Sequence, residues 1–524
     1  MPPKQMRPYS IPQVSVGKTG PQRAHLRFAM DIPIDIWLLI FDMLPSESVR
    51  ALMLVHRMFF NHARRLLWRS LLLCTMDDRH RTKTRAILRD PTLASQVRHV
   101  ILEPTRYRRD MPTNLWTCDP SIQTWKDIAK LMTWQHPLKP WKHFLRSRED
   151  IELTTEVVPL LTNVRKVSII TWDENIRPDP EPYRKIWKGL SAEHLQCLSL
   201  YINSGTALVT FSDVLQTSAI TFEHLQTFSL ALSIGGSYST SKFQQDVKVI
   251  VGLGIHSVRC LRLDIRFRRD ILQTLLDGLG FFPNLIHFDC RFQGDWTVTA
   301  NDSFTLNTGF LREHMSTLSC LKLASYVSHL FPLTPFAVAP LKLSYLQLIC
   351  SGALTWPWIT QGLNMERYAD TLTTLIISLS QHQASGLHYD AVAQLVLGLH
   401  KPQSGTLLRR LQLPVQFLSP EILDLLSNHL ENLHTLEIVY GNLVATLVLF
   451  IEEVGQFWWN VGTRNYENWK LRSFVLRPAA TKVSRLLSGG LSESQTQNAL
   501  SKLVPSLESF GPIDWSDEHD DFDS

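Results

Sequence analysis

Nineteen histidines, seven cysteines and 48 Asp+Glu are the residues through which this 524-residue chain could do chemistry, as metal ligands or as acids, bases and nucleophiles held a few ångströms apart. Their spacing supports neither. The cysteines, Cys74, Cys118, Cys197, Cys260, Cys290, Cys320 and Cys350, lie far apart with no C-x-x-C pair. That argues against a zinc site and a disulfide framework, and for a reducing compartment, cytoplasmic and/or nuclear. The histidines are scattered rather than set four apart around a carboxylate, so His224 and His287 read as surface or core residues rather than ligands. There is no H-E-x-x-H, no G-x-x-x-x-G-K-S/T and no G-x-S-x-G, and the G-x-G at Gly252 and Gly254 lacks the third glycine that would bring a helix end onto a pyrophosphate. No catalytic residue, metal or cofactor is expected; the chain reads as one that binds.

Charge narrows what it binds. Lys+Arg number 53 against 48 Asp+Glu, a net charge of +5, too weak a field to draw a nucleic acid. The apolar runs, Ile36 to Phe41 and Leu443 to Ile451, fall far short of the roughly 18 residues of a membrane helix. Two blocks are lopsided: Arg79 to Arg109 holds nine basic residues with only Asp90 and Glu103, and Asp514 to Ser524 holds six acids with no Lys or Arg. Each is either a solvated surface or a dock for an opposite charge. Residues 1–29 are basic and acid-free, but their five prolines and lack of an apolar helical face suit a disordered basic tail rather than a transit peptide.

The elements that must position any binding residue fall into two kinds. Residues 30–73 hold three short helical runs: Asp31 as a candidate cap with Pro33 in the first turn, Pro45 closing the run, Ser46 able to cap the next, and a third from about His56 to Trp68. In the first run Ile32, Ile36, Ile40 and Met43 line one face, and Trp37, Phe41 and Leu44 another. A helix apolar all round must be covered on both sides, and some forty residues cannot supply that cover alone. The segment must pack on the rest of the chain or on a partner.

This stretch resembles the F-box family, through Ile32, Pro33, Asp35, Ile36, Ile40, Phe41 and Leu44, then Val49, Leu52, Val55, Arg57 and Phe59, with Trp68 at the late tryptophan. The resemblance implies docking on the SKP adaptor of a cullin-RING ligase, with Ile32, Pro33, Ile36, Ile40, Leu44, Leu52, Val55 and Phe59 at the contact.

After residue 90 a hexad of the form L-x-x-L-x-L recurs: at Val97, Val164, Leu195, Leu225, Val258, Leu285, Leu318, Leu343, Leu372, Leu408, Leu433 and Leu471, with a partial copy at Leu507. From Val164 the steps are 25 to 38 residues, a period of stacked units. Helical patterns fill the gaps, as in RRDILQTLLDGLG from Arg268 and SPEILDLLSNHL with Ser419 as cap and Pro420 first in the helix. The expected fold class is α/β, a parallel sheet coated by helices on one side. The pattern resembles irregular leucine-rich repeats, which implies a solenoid with strands on its concave face.

Alternation sorts the hexad. Its fourth and sixth residues point into the core, and its third, fifth and seventh line the other face. There Arg262, Arg291, Lys322 and Tyr345 form the expected target-binding strip, the alternative being a plain solvated sheet. Between Val97 and Val164, Trp116, Trp125, Trp134 and Trp141 mark an insertion expected to pack on the solenoid flank. The expected organisation is a tail 1–29, an F-box 30–73, a basic linker with a first irregular repeat and the Trp-rich insertion over 74–163, leucine-rich repeats 164–512 and an acidic tail 513–524. By resemblance the chain is a non-catalytic substrate receptor of an SCF-type ubiquitin ligase, partnered by the SKP adaptor, through it a cullin, and a protein target, with no nucleic acid or membrane. The alternatives are an F-box repeat scaffold outside ubiquitin ligation, and a repeat-fold enzyme or nucleic-acid binder.

Overall fold

The computed structural model describes residues 33–103, 149–171, 180–233, 240–266, 275–293, 309–325, 342–350, 365–379, 386–400, 406–444, 454–478 and 502–510, less 45, 54–56, 75–77, 191, 204, 219–221, 253–255, 277–278 and 315. Asp31, Ile32, Pro45, Val55, the four insertion tryptophans, the basic segment 1–29 and the acidic segment 513–524 lie outside the described residues. The chain divides into two compact units, Met1–Arg69 and Ser70–Ser524.

In the first unit α1 (Ile34–Met43), α2 (Ser46–Leu52) and α3 (Arg57–Trp68) follow the expected order. Pro33 starts α1, its carbonyl accepting from the N–H groups of Ile36 and Trp37; its fixed φ suits a helix start. Phe41, Val49, Phe59 and Ala63 form the core, with Trp37, Leu44 and Leu52 packed against it. The Phe59 ring lies 4.9 Å from Trp37 and 5.2 Å from Phe41, centroid to centroid.

The second unit begins with a strand. The module boundary expected at residue 73 therefore moves to 69/70, because Leu71 and Leu73 are buried in β1 (Ser70–Leu73), paired with β2 (His99–Leu102). The segment after it is no linker either: α4 (Asp78–Arg89) buries Arg81, Thr84 and Ile87.

Among the described residues fourteen strands form one sheet in which chain order is spatial order and every neighbour is parallel. After β2 come β3 (Lys166–Thr171), β4 (Cys197–Ile202), β5 (Thr227–Ser233), β6 (Cys260–Arg266), β7 (His287–Gln293), β8 (Cys320–Ser325) and β9 (Tyr345–Cys350), then β10 (Thr374–Leu379), β11 (Arg410–Leu418), β12 (Thr435–Leu443), β13 (Ser473–Pro478) and β14 (Ser509–Phe510). Each of β2 to β14 starts at the third residue of one hexad. Helices alternate with them, among them α5 (Pro180–Gly189), α6 (Gly205–Ser218), α7 (Thr240–Val251), α8 (Gly309–Glu313), α9 (Tyr389–Leu399), α10 (Pro420–His429) and α11 (Val454–Gly462).

The leucines of the hexad explain this. The first, fourth and sixth residues are buried in repeat after repeat, as in Leu318, Leu321 and Leu323 or Leu433, Leu436 and Ile438. The fourth meets the helices: the Phe288 ring lies 5.0 Å from that of Phe310 in α8. Ser419 precedes α10 as expected but makes no cap hydrogen bond, since its hydroxyl is turned into the core. Of the pattern from Arg268, Leu275, Leu276 and Leu279 are buried, and residues 268–274 lie outside the described residues.

A backbone ladder one residue before each strand ties successive repeats together. The carbonyl of the hexad's second residue accepts from the second and third N–H groups of the next repeat, from Arg98 through Arg259 and Arg409 to Arg472, at 2.7–2.9 and 2.9–3.2 Å. Asparagine appears one place before the hexad: the amides of Asn163, Asn284 and Asn432 donate to the carbonyls of Ser95, His256 and Thr406 in the preceding repeat.

Two repeat junctions carry testable constraints. Pairing of β10 with β11 stops at Gln412, because Pro414 has no N–H to offer β10. Leu387 takes over, its N–H donating to Pro414 O and its carbonyl accepting from Gln416 N–H. Gly386 approaches so closely that a Cβ there would lie 2.2 Å from the Val415 carbonyl carbon. Gly386→Ala is expected to cost about 1–3 kcal/mol, the usual range for overpacking, read as a lower urea midpoint at unchanged slope.

At the second junction, buried His314 joins two repeats. Its Nε2 accepts from Phe282 N–H at 2.8 Å, so Nδ1 carries the proton donated to Phe310 O at 2.6 Å. Burial pushes this imidazole's pKa below the ordinary value, against the opposing pull of the Phe310 carbonyl and Glu313. The unfolded chain therefore takes up the proton first, and stability is lost as pH falls below about 6.5. The urea midpoint is expected to be lower at pH 5 than at pH 7.5, and the difference to shrink in His314→Gln. His429, also held below its ordinary pKa by burial and by His400, leaves a residue of the effect.

Candidate interaction surfaces

The first surface is the side of α1 turned from its own core. Trp37 and Phe41 point inward, while Ile36, Leu39, Ile40 and Met43, spaced at three and four residues, point out; Leu39 is 65% and Met43 85% exposed. Phe60 on α3 and Pro33 are exposed as well. Of the expected adaptor contacts, Pro33, Ile36 and Ile40 are on the surface, and Leu44 and Leu52 lie half-buried against the core. Phe59 is a correction: it is buried between Trp37 and Phe41 and holds the module together. Leu39 was missed, although it sits three residues from Ile36 and four from Met43, the spacing that defines one helix face.

The second surface is the helix-free face of the sheet. Register brings the expected strip together on β6 to β9, with Arg262 opposite Asp289, Asp289 opposite Lys322, and Cys320 opposite Tyr345. It is not plainly basic. Arg291 sits 3.3 Å from Asp289 and Arg266 3.9 Å from Asp264, so four cations share the area with two carboxylates. Burial raises the Asp264 carboxyl pKa against the pull of Arg266 and Arg291. Tyr345 is buried and forms a floor, its ring 5.4 Å beneath the Lys322 ammonium and its hydroxyl donating to Gln347. The thiol of Cys320 is pushed up to about 12 by burial, which removes it as a nucleophile.

Other outward positions are less solvated than alternation alone predicts. Cys260, His287 and Asp289 are buried, and Glu437 is only 1% exposed with its carboxylate 3.2 Å from Arg477. Strand neighbours about 4.8 Å apart cover one another laterally. Glu437→Ala is accordingly expected to cost about 1–3 kcal/mol for a buried charged partner, against under about 0.5 for Lys322→Ala and about 2–5 for Leu436→Ala. Denaturant midpoints that ranked Lys322→Ala with Leu436→Ala would overturn the assignment of faces.

Among the described residues no cluster of His, Cys, Asp or Glu could hold a metal ion, and no helix is long and apolar enough to cross a membrane. No protein-family model matches the chain, and no curated protein matches it. Among solved structures it is similar to the leucine-rich repeat-containing protein LegL7 from Legionella pneumophila, at 13% identity over 84% of this chain and 99% of that one, with a TM-score of 0.31.

Proposed function

We propose that the chain is the substrate-recognition subunit of an SCF-type ubiquitin ligase. In this reading α1 docks on the SKP adaptor and through it on a cullin, the helix-free face of the repeats holds a protein target, and other subunits carry out ubiquitin transfer. The observation behind it is the exposed apolar face of α1, Ile36, Leu39, Ile40 and Met43, on a helix whose opposite face is already a core. Covering such side chains is worth roughly 1.5–3 kcal/mol each when burial is complete.

The test is co-purification of the full chain with a SKP adaptor, followed by target abundance on loss of the receptor. Adaptor capture with a target that accumulates on receptor loss supports the ligase reading. Adaptor capture with unchanged target levels favours a scaffold outside ubiquitin ligation. Absence of adaptor binding removes both.

A further inference from the structure

Within the basic block from Arg79 to Arg109, Arg81 and Arg85 on α4 are occupied with Asp150 and Glu149. Arg98 stands at the rim where the chain enters the strands, and among the described residues it meets no acid. Its Nη1 donates to the carbonyls of Ser95 at 2.9 Å and Asn163 at 3.2 Å, and the Asn163 amide donates to the same Ser95 carbonyl. The guanidinium is thereby braced between two repeats, while its Nε and Nη2 have no partner among the described residues. Beside it is a second arginine. The N–H groups of Arg165 and Lys166 donate to Arg98 O at 2.8 and 3.0 Å, which sets Arg98 and Arg165 one strand spacing apart, about 4.8 Å. Arg165 is exposed, and no described side chain pairs with it. Burial first, and then the charge of Arg165, hold the Arg98 guanidinium below its ordinary pKa; a carboxylate alongside would act the other way. Residues 91–102 and 157–171 contain no Asp or Glu, and the next two places along the rim hold Gln196 and Gln226, whose amides can donate.

We propose that Arg98 and Arg165 form a binding site for a phosphate monoester at the rim of β2 and β3, Arg98 presenting Nε–H and Nη2–H to two of its oxygens and Arg165 meeting the third. Two like charges held side by side without an acid repel each other, and an anion between them relieves that repulsion. Guanidinium groups suit phosphate because their N–H groups pair with its oxygens two at a time. A monoester carries about −1.5 to −2 at pH 7 and so matches two cations, whereas a carboxylate or a phosphodiester carries one negative charge and leaves one cation unmet. The brace on Arg98 fixes its fork before any ligand arrives, which lowers the cost of ordering on binding. The site stands apart from the helix-free face and from α1, so it does not rest on the ligase reading.

The test is protection of arginine from phenylglyoxal in the full chain, with the rate read at each arginine by peptide mapping and the ionic strength held constant with sodium chloride. Arg259 is the internal control, since it is exposed at the same place in its hexad but stands between Gln226 and Ile286. Inorganic phosphate is expected to slow modification of Arg165 by about threefold or more and to leave Arg259 unchanged, with acetate at the same concentration protecting neither. This comparison needs no variant and so does not depend on the folding of one. Arg98→Lys keeps the charge but loses the fork, and protection of Arg165 is expected to fall to the level of Arg259 at an unchanged urea midpoint. A phosphoserine peptide run beside inorganic phosphate identifies the source: stronger protection by the peptide points to a phosphorylated protein segment, and stronger protection by the free ion to a small phosphorylated molecule. The proposal is overturned if phosphate protects Arg165 and Arg259 equally or not at all, or if acetate protects Arg165 as well as phosphate does. It is equally overturned if protection persists in a folded Arg98→Lys chain. Loss of adaptor capture with this protection intact rejects the ligase reading alone, and the converse rejects this site alone.

Discussion

Replacing Arg81 by alanine is expected to lower the stability of the repeat unit by about 3–5 kcal/mol, the cost of stranding one partner of a buried ion pair. Arg81 on α4 grips Asp150 with two parallel bonds, Nε to Oδ1 at 2.8 Å and a terminal nitrogen to Oδ2 at 2.9 Å, and Asp150 is fully buried. The same guanidinium donates to Asp78, whose side chain is 83% exposed, where water screens the charge and the contact is worth little. Asp150→Ala should therefore match Arg81→Ala, and Asp78→Ala should stay under about 0.5 kcal/mol. The pair matters because of what hangs on it. Thr154 donates to the Asp150 carbonyl at 2.7 Å and accepts from Cys74 N–H at 3.1 Å, and Cys74 turns the chain out of β1 with φ of 75°, a conformation a side chain tolerates only when its surroundings enforce it. One cluster thus ties the helix over 149–157 to the first strand and to α4. Urea midpoints of the three variants check the ranking, and a full-sized loss from Asp78→Ala would show that burial is not what sets the cost.

Such a cluster could not be read from the sequence, since Arg81 and Asp150 are 69 residues apart and neither breaks a pattern. The strands could. The hexad states its own alternation, with three apolar residues demanded at positions one, four and six, and β2 to β14 each begin where it places them. Strand β1 is harder to read: Trp68, still within α3, stands where the hexad's first leucine would, with Leu71 and Leu73 at the fourth and sixth places, and pairing with His99–Leu102 identifies Ser70–Leu73 as a strand. Alternation also says which face a side chain points to but not how deeply its lateral neighbours cover it. For that reason Glu437 and His287 belonged on the expected surface and are buried. For α1 the sequence shows that both faces need cover, whereas the choice of inner face depends on Val49 and Phe59, which arrive from α2 and α3.

That choice makes the docking reading separable from folding. Ile36 and Ile40 point away from Phe41, Phe59 and Ala63, at 47% and 36% exposed, so Ile36→Glu combined with Ile40→Glu should leave the module folded. Against an adaptor surface the two carboxylates would be buried without partners. Even one such charge costs about 3–5 kcal/mol, a loss of roughly 100- to 4,000-fold at about 1.4 kcal/mol per decade. Co-purification with the adaptor is therefore expected to vanish. Ile36→Ala with Ile40→Ala, which removes area but adds no charge, should weaken capture by a smaller factor. Phe41→Ala works by the other route: it opens the core at a cost of about 3–5 kcal/mol and should lower the thermal midpoint, which the glutamate pair leaves in place. Adaptor binding unchanged in the glutamate variant would sink the F-box reading, whatever the target proves to be.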